Sequence, residues 1–418
     1  MKNFHISTIK ITFVIVFAIL VVLLGWLGSK TMTLEFSDAA VVKTAADTHG
    51  SDGHGHDDAH DSPAPAAQQP VNSKPNNKFN QFEVGNRNVK SIFPDGDAVW
   101  IGTSGGAVRY DTKRDDYQLF SVRNGLLANG VFNVTRVGDR IAVGTYGGGL
   151  AMLDEHDTDW QIYNVPEGLG DAFVYWTLQT TAGDLWIATW TGANKIIASD
   201  IDNPDAWEIH TVNSTSNGEK NVGLPNDWVY GLAEGKNGEM WFATEGGLAR
   251  YDNGVWNHWK HDDGLGAEYD LVKDQKSFMT DPADVSTHHA KQKVEMGLQD
   301  VTTAYNPNYI VAIAVDADGA AWAGTWGGGL SRFDGTNWTT MTMSDGLPSN
   351  HIFSLYSDGD DLWIGTSHGL VKKSADGTLT TYTREDGLYS DAVFSLAKDK
   401  DGTLWVGSYG GVARLNLQ

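Results

Sequence analysis

A five-residue cassette, Leu-Trp-Ile-Gly-Thr and its variants, recurs along the chain and constrains the fold more than any other feature. The seven copies occupy residues 99–103, 141–145, 185–189, 240–244, 321–325, 362–366 and 404–408. Most neighbouring copies lie 41 to 44 residues apart, and the two longer intervals of 55 and 81 residues contain insertions. Such a period, built from short strand-like runs, is typical of β-propellers, in which each repeat is one four-stranded blade. We therefore predict an all-β fold, a seven-bladed β-propeller.

The cassette itself predicts a strand that is buried on both faces. Apolar side chains occupy consecutive positions, as at Leu362, Trp363 and Ile364, whereas a half-solvated strand would alternate apolar with polar residues. Packing between blades buries both faces of a strand. The Gly-Thr that follows indicates a tight turn at a point where a larger side chain would be in the way.

Composition excludes several classes of protein. The net charge of -23 argues against a nucleic-acid partner, because such surfaces need clustered Lys and Arg. The absence of Cys excludes disulfides, thiol chemistry and a lipoprotein anchor. Acidic turns at residues 95–97, 316–319 and 399–402 precede the cassette. We interpret them as hairpin turns rather than calcium loops, since two carboxylates are too few for calcium.

The N-terminus predicts a membrane anchor. Residues 11–28 are uncharged and long enough to cross a bilayer as a helix, and Lys2 and Lys10 precede them. We expect a cytoplasmic tail at 1–10, a single transmembrane signal anchor at 11–28 in the inner membrane, and a propeller in the periplasm or outside the cell. A cleaved signal peptide is the alternative. The anchor is favoured because no small-x-small site directly follows the apolar run.

Residues 29–78 are predicted to be a flexible, disordered tether, since they offer almost nothing apolar to bury. Four histidines interleaved with Asp lie within it, His49, His54, His56 and His60. They are candidates for loose binding of Zn²⁺, Ni²⁺ or Cu²⁺, and the alternative is a solvated acidic linker. Apart from this weak divalent metal we expect no cofactor.

The propeller is predicted to span residues 79–418. Its first residues, 79–82, resemble the outermost strands of other repeats, such as residues 117–120, and the last repeat lacks such a strand. We therefore expect the N-terminal strand to complete the C-terminal blade and to leave no incomplete sheet edge exposed.

These repeats resemble those of the two-component regulator propeller family. The resemblance rests on the cassette followed by x-x-Gly-Leu and on Asp-Gly-Leu at residues 263–265, 345–347 and 386–388, and it covers about residues 79–416. In that family the propeller is commonly the periplasmic sensory half of a membrane histidine kinase. We find no kinase segment in this sequence, so the resemblance implies a ligand-sensing or binding module that signals or docks through a separate protein partner.

Candidate binding residues lie on loops that share one face of such a propeller. The turns after the cassette carry Tyr146, Trp190, Glu245, Trp326, His368 and Tyr409. The inner strands open with Asn129, Asp227, Asn308, Asn350 and Asp391. Aromatic platforms beside amides and carboxylates suit a carbohydrate or peptide ligand. The alternative is that the aromatic residues only shield the junctions between blades.

The longest insertion, residues 267–305, is predicted to overhang this face. Residues 281–296 have helical character and include His288 and His289. Loops of this length are usually functional or disordered, so we expect a lid or a docking element, with metal binding by the His pair as a lesser alternative.

Three classes of function compete: a sensing module, a non-catalytic scaffold subunit of a periplasmic membrane complex, and an enzyme. We find no nucleophile elbow, HExxH motif, phosphate loop or dinucleotide fingerprint, and we predict no catalytic residue. The repeats also look somewhat like those of streptogramin lyase. That resemblance implies a catalytic His at the central mouth, where only His351 is suitably placed.

Overall fold

The computed structural model describes residues 79–153, 159–220, 222–275, 281–284, 287–298, 301 and 304–416, which all fall within the unit of residues 52–418. The predicted tail, anchor and tether, with the four tether histidines, lie outside the described residues. Within the described ranges, no helix is long and apolar enough to span a membrane.

In the part of the chain that the structure describes, twenty-six strands form six hydrogen-bonded sheets. The first sheet contains β1 (Phe79–Asp95), β2 (Ala98–Thr103), β3 (Gly106–Asp111), β4 (Asp116–Phe120), β25 (Val393–Lys398) and β26 (Thr403–Asn416). The strand order of this sheet is β25-β26-β1-β2-β3-β4. It therefore joins the first and the last strand of the described residues.

The other five sheets each have four strands. The second sheet contains β5 (Val131–Val137), β6 (Arg140–Thr145), β7 (Leu150–Leu153) and β8 (Trp160–Tyr163), and the third contains β9 (Val174–Gln179), β10 (Leu185–Thr189), β11 (Gly192–Ile196) and β12 (Trp207–His210). The fourth contains β13 (Val229–Glu234), β14 (Met240–Thr244), β15 (Gly247–Asp252) and β16 (Val255–Trp259), and the fifth contains β17 (Asn306–Val315), β18 (Ala321–Trp326), β19 (Leu330–Phe333) and β20 (Trp338–Met341). The sixth contains β21 (Ile352–Asp358), β22 (Asp361–Thr366), β23 (Gly369–Lys373) and β24 (Leu379–Tyr382). The predicted all-β class is confirmed.

Helices are short. Two α-helices, α1 (Tyr269–Val272) and α2 (Thr287–Glu295), lie in the long insertion. Single 3-10 turns occupy Val122–Asn124, Val165–Glu167, Ile197–Ser199, Pro204–Ala206, His261–Asp263, Pro282–Asp284, Met343–Asp345 and Arg384–Asp386.

The innermost strands follow one another in a closed cycle. Each of β1, β5, β9, β13, β17, β21 and β25 contacts the next, and β25 contacts β1. Buried side chains on these strands bridge neighbouring sheets. Ser91 Oγ accepts a hydrogen bond from Val134 N at 3.0 Å, and Asn133 Oδ1 accepts one from Thr177 N at 3.0 Å. The core therefore lies between sheets.

Each cassette forms the second strand of its repeat, and its Trp pairs with a cation on the third. Trp100 lies opposite Arg109, whose guanidinium is 5.8 Å from the indole ring centre. Four further cassette Trp residues, at 186, 241, 322 and 363, face Lys or Arg in the same way. In β6 the equivalent position is Ala142, and its partner is Met152. Both members of the pair change together, as expected for a cross-strand cation–π unit.

The Gly and the Thr at the end of the cassette have different structural roles. A Cβ on Gly102 would lie 2.8 Å from Val131 Cγ1 of the next sheet, so the glycine permits close packing between sheets. The Thr103 hydroxyl donates to the carbonyl oxygen of Gly106 at 2.8 Å and closes the turn. The obstruction predicted from the sequence thus comes from the neighbouring sheet rather than from the turn itself.

The N-terminal strand pairs with the C-terminal one, as predicted. Residues 79–83 of β1 lie antiparallel to residues 411–415 of β26. Phe79 is 2% exposed and packs edge-to-face with Tyr382, with ring centres 5.7 Å apart.

The acidic turns are hairpins, and two of the three place a carboxylate against the indole N–H of a cassette Trp. Asp316 Oδ2 accepts hydrogen bonds from Trp322 Nε1 at 2.9 Å and Arg332 Nε at 3.0 Å. Asp399 Oδ2 accepts one from Trp405 Nε1 at 2.8 Å. Burial alone would raise the pKa of Asp316, but these hydrogen bonds outweigh it and hold the pKa below its ordinary value.

Candidate functional site

A β-bulge interrupts each of the seven innermost strands at the same place. In β5, for example, Val131 pairs with Thr145 and Asn133 with Gly144, so Phe132 is the extra residue. A bulge re-aims a side chain, and here the extra residues line one cavity of about 120 Å³ inside the cycle of inner strands. These bulge residues are Lys90, Phe132, Tyr175, Tyr230, Val311, Phe353 and Phe394.

Aromatic rings contact one another around much of this cavity. The ring centre of Tyr175 lies 4.4 Å from that of Phe132 and 4.8 Å from that of Tyr230. Lys90 begins the series, with its ammonium 5.5 Å from the Phe132 ring centre. The contacts continue through Tyr230–Tyr309, Tyr309–Trp326, Trp326–Phe353 and Phe353–Phe394.

Two of the tyrosine hydroxyls in this series are buried. Burial raises the pKa of Tyr175 and of Tyr230 well above the ordinary value, and the nearby Glu245 carboxylate adds to both shifts.

A larger cavity of about 570 Å³ lies where the insertion meets the loops beside it. Its lining residues are Pro225, Asn226, Glu245, Gly246, Lys260, His261, Asp262, Glu268, Tyr269, Met296, Leu298, Tyr305, Pro307 and Asn308. Tyr305 fixes one wall, because its hydroxyl donates to the carbonyl oxygen of Ala267 at 2.7 Å and its ring lies 5.2 Å from that of Tyr269.

His261 is held on another wall of this larger cavity. Its Nδ1 lies 2.7 Å from the carbonyl oxygen of Leu265, and because a carbonyl can only accept, Nδ1 carries the proton. Its Nε2 lies 3.4 Å from Glu268 Oε2.

A buried His–Glu pair attaches the insertion to the face below it. Nδ1 of His289, on α2, lies 2.5 Å from Glu245 Oε1, with the two side chains 5% and 0% exposed. The Tyr230 hydroxyl donates to Glu245 Oε2 at 3.2 Å. Glu245 therefore lines the larger cavity while binding a residue that lines the smaller one.

The turn residues predicted as a binding face differ in exposure. Tyr146 and Trp190 are partly buried and contact each other at 5.9 Å between ring centres, whereas His368 and Tyr409 are exposed. Trp326, a candidate for the same binding face, is only 4% exposed. It packs against Tyr309, Phe353 and His351.

Glu245 also departs from the expectation of an exposed turn residue, because α2 of the insertion covers it. The aromatic cluster brings Trp190 and Trp326 together with the inner-strand tyrosines, and it does not include His368 or Tyr409. A ligand-binding role for this set stays a prediction.

The polar residues predicted at the start of the inner strands all make the same kind of hydrogen bond. Each side-chain oxygen accepts a hydrogen bond of 2.6 to 3.0 Å from a backbone N–H in the preceding link between repeats. The pairs are Asn129 with Val122, Asp227 with Val212, Asn308 with His261, Asn350 with Met343 and Asp391 with Arg384. Asn308 additionally lines the larger cavity.

His351 lies under the aromatic cluster and lines neither cavity. It is 0% exposed, and its ring is perpendicular to that of Trp326 at 5.1 Å. Burial lowers its pKa to about 3, so the imidazole is neutral.

Sequence reasoning missed the bulge residues, although a pattern marks them. Each follows a buried Val or Ile, at positions 89, 131, 174, 229, 310, 352 and 393. Alignment of the repeats on this residue places Lys90, Phe132, Tyr175, Tyr230, Val311, Phe353 and Phe394 in one column.

The family model described as two component regulator propeller matches residues 223–246, 346–368 and 390–410. Each match runs from a link or inner strand into a cassette. These three segments are thus repeats of the two-component regulator propeller type, and the resemblance inferred from the sequence is confirmed at these segments.

Solved structures with a similar fold include the extracellular domain of BT3049 from B. thetaiotaomicron, described as a hybrid two component system. It is 20% identical, has a TM-score of 0.60, and the match covers 82% of this chain and 41% of that one. The extracellular domain of BT4673 from the same organism, described as a one component system, is 17% identical with a TM-score of 0.57, over 81% and 40% of the two chains. This chain spans about two fifths of the length of either.

A third similar structure, streptogramin B lyase, is 15% identical with a TM-score of 0.55, over 81% of this chain and 97% of the lyase. At such identities the likeness shows the propeller fold alone. None of the curated proteins matches the sequence.

Proposed function

We propose that this protein is an extracytoplasmic recognition propeller that binds a ligand beneath its long insertion and acts through a separate partner protein. The cavity of about 570 Å³ carries this proposal, because it has the size of a ligand pocket and joins the insertion to the face predicted for binding. Sensor systems such as BT3049 and BT4673, whose extracellular domains share the fold, support the class.

The ligand proposed for this cavity is a carbohydrate or a peptide. Tyr269 and Tyr305 supply aromatic surface, and Asn226, Asn308 and Glu268 supply polar groups around it. Aromatic rings stack on the apolar faces of sugar rings, while neighbouring polar side chains form hydrogen bonds with the sugar hydroxyls. The same combination of aromatic and polar groups suits an extended peptide.

Seven blades are part of the proposal. The first strand, β1, pairs with β26 through residues 79–83 and with β2 through residues 89–95, so the six-stranded sheet is interpreted as two blades sharing long strands. With the five other sheets this gives the ring of seven. Electron micrographs viewed down the axis should show seven lobes, and six would contradict the count.

Attachment to the inner membrane through residues 11–28 is likewise proposed, from Lys2 and Lys10 ahead of one apolar span. Alkaline phosphatase fused after Gln418 should be active, because the fusion would be exported. An inactive fusion would contradict export. Weak binding of a divalent metal by the tether histidines is a separate proposal, tested by calorimetry on residues 45–64 at neutral pH.

Substitution in the cavity wall tests the ligand site. We expect Tyr269→Ala to weaken binding of the best oligosaccharide or peptide from a screened panel at least tenfold. Tyr117→Ala is the matched control, because Tyr117 is 70% exposed on β4 and lies outside both cavities. Equal loss in both variants, or none in Tyr269→Ala, would contradict the site.

A scaffold role is the second candidate, and exposed apolar side chains favour it. Tyr117 and Leu119 are 70% and 36% exposed and lie two residues apart on the outer strand β4, so both side chains are on the same side of the strand. We propose this pair as a contact point for a partner protein. A pull-down in mild detergent that recovers a stable partner, lost in Tyr117→Ala, together with no ligand from the panel, would select the scaffold role.

A further inference from the structure

The wall of the larger cavity carries more carboxylates than lysines and arginines. Among the described residues that line it, Glu245, Asp262 and Glu268 are carboxylates, and Lys260 is the one lysine or arginine. The His289 imidazole on α2 contacts the Glu245 carboxylate, whereas Glu268 has 75% of its side chain exposed. Glu268 therefore presents a charge that a ligand in this cavity can reach.

Glu268 lies beside a second hydrogen-bond acceptor. It directly precedes α1, and its Oε2 lies 3.4 Å from Nε2 of His261. The Nδ1 proton of His261 is donated to the carbonyl oxygen of Leu265, so Nε2 of the neutral imidazole accepts hydrogen bonds. An ionised carboxylate also only accepts. A group with more than one donor proton, placed beside this pair, can therefore bond both side chains.

Aromatic rings flank these two acceptors. The ring centre of Tyr305 lies 6.4 Å from that of His261 at an interplanar angle of 87°, and 5.2 Å from that of Tyr269 at 54°. The three rings therefore form the sides of a corner rather than one flat wall. Burial raises the pKa of the Tyr305 hydroxyl, and the Glu268 charge adds to that rise, so the carboxylate lies close to the corner.

We propose that this corner, formed by His261, Glu268, Tyr269 and Tyr305, binds a protonated amine of the ligand. The inference rests on the function proposed for the larger cavity and names the group that the cavity recognises. The ammonium pairs with the Glu268 carboxylate, donates to His261 Nε2 and packs against the tyrosine rings, whose π faces attract a cation. A peptide amino terminus and an amino sugar both carry such an amine.

Calorimetry on the full chain at pH 7 tests the corner with trialanine and glucosamine, each compared with its N-acetyl form. An amino terminus, with a pKa of about 8, is mostly charged at that pH. We expect at least one free amine to bind about tenfold more tightly than its acetylated form, a moderate preference because water screens the exposed Glu268 carboxylate. A preference shown by trialanine alone assigns the amine to a peptide, and one shown by glucosamine alone assigns it to a sugar.

Glu268→Gln separates the charge of the amine from the bulk of the acetyl group. This variant should reduce the preference to less than threefold. His261→Phe, which keeps a ring but removes both nitrogen atoms, should weaken binding of the free amine several-fold. Glu385→Gln is the matched control, because Glu385 is exposed in the corresponding 3-10 turn, Arg384–Asp386, and lines neither cavity.

Three results would overturn the proposal: neither amine binds at millimolar concentration, free and acetylated forms bind equally, or folded Glu268→Gln keeps the full preference. His261→Phe provides the same comparison if Glu268→Gln fails to fold. Equal binding would mean that His261 and Glu268 pair only with each other, and it would leave the larger cavity as a site for neutral ligands. The proposed function fails separately, when Tyr269→Ala binds the best ligand of the panel as tightly as the natural protein does.

Discussion

The hydroxyl of Ser395 donates a hydrogen bond of 3.0 Å to the carbonyl oxygen of Val89, which lies 306 residues earlier in the chain. This contact joins the last innermost strand to the first. Further out, Phe79 pairs with Leu415 in the same sheet. The first and last strands of the described chain are thus held together both at the innermost strands and further out in the same sheet.

Removal of the N-terminal strand should therefore destabilise the protein. Phe79 is buried, and Phe82 stacks on Tyr110 at 5.1 Å between ring centres. Burying an aromatic side chain is worth about 1.5–3 kcal/mol, so losing both should cost about 3 kcal/mol or more. A protein starting at Asn86 should melt well below one starting at Lys74. Identical melting temperatures would show that this strand does not stabilise the ring.

Truncation of two residues predicted for the same binding face should affect the free energy of unfolding to very different extents. Trp326→Ala should lower the free energy of unfolding by about 3–5 kcal/mol, because Trp326 is 4% exposed among aromatic rings. Tyr409→Ala should leave stability nearly unchanged, because Tyr409 is 49% exposed. Denaturant unfolding of both variants measures the difference. An unchanged midpoint for Trp326→Ala would contradict its structural role.

Local sequence patterns predicted the repeated elements well. The cassette, its turn and the outer strand at residues 79–82 depend on neighbours in the chain, and a fixed period repeats the same neighbours. The sequence predicted the pairing of residues 79–83 with residues 411–415 because the last repeat lacked the outer strand that residues 79–82 supply.

The site was harder to predict because it depends on long-range geometry. Trp326 and Glu245 look like exposed turn residues, and they are buried by inner-strand rings and by α2. A bulge at Phe132 or Tyr175 is a shift in strand pairing, which becomes visible only when both strands are placed. Hydrophobic patterning within one repeat carries no information on either contact.

The pair of Glu245 and His289 should be energetically coupled. Removing one member of a buried pair leaves the other without its partner, which typically costs about 3–5 kcal/mol. Glu245→Gln, His289→Gln and the double variant form a cycle, for which we expect a coupling of at least about 1 kcal/mol. The control cycle uses Lys113 and Asp97, an exposed pair at 2.5 Å, and should give no measurable coupling. Additive losses at Glu245 and His289 would mean that the insertion is held by other contacts.

Acid should destabilise the protein partly through His351. Burial lowers its pKa to about 3, whereas an unfolded histidine titrates near about 6.5. Below about pH 6.5 the unfolded chain binds a proton that the folded protein excludes, so the stabilisation is complete above that pH and is lost progressively as pH falls toward 3. At about 1.4 kcal/mol per pH unit, the loss between pH 6.5 and 5 is about 2 kcal/mol.

Replacement by a residue that does not titrate isolates this contribution. We expect denaturant unfolding of His351→Gln to give a free energy that falls less steeply between pH 6.5 and 5 than that of the natural protein. The two curves should run parallel above pH 7, where His351 is neutral in both states, whatever the substitution costs in packing. Other histidines are present in both proteins and cancel from the difference. Curves that stay parallel down to pH 5 would mean that His351 accepts its proton in the folded protein.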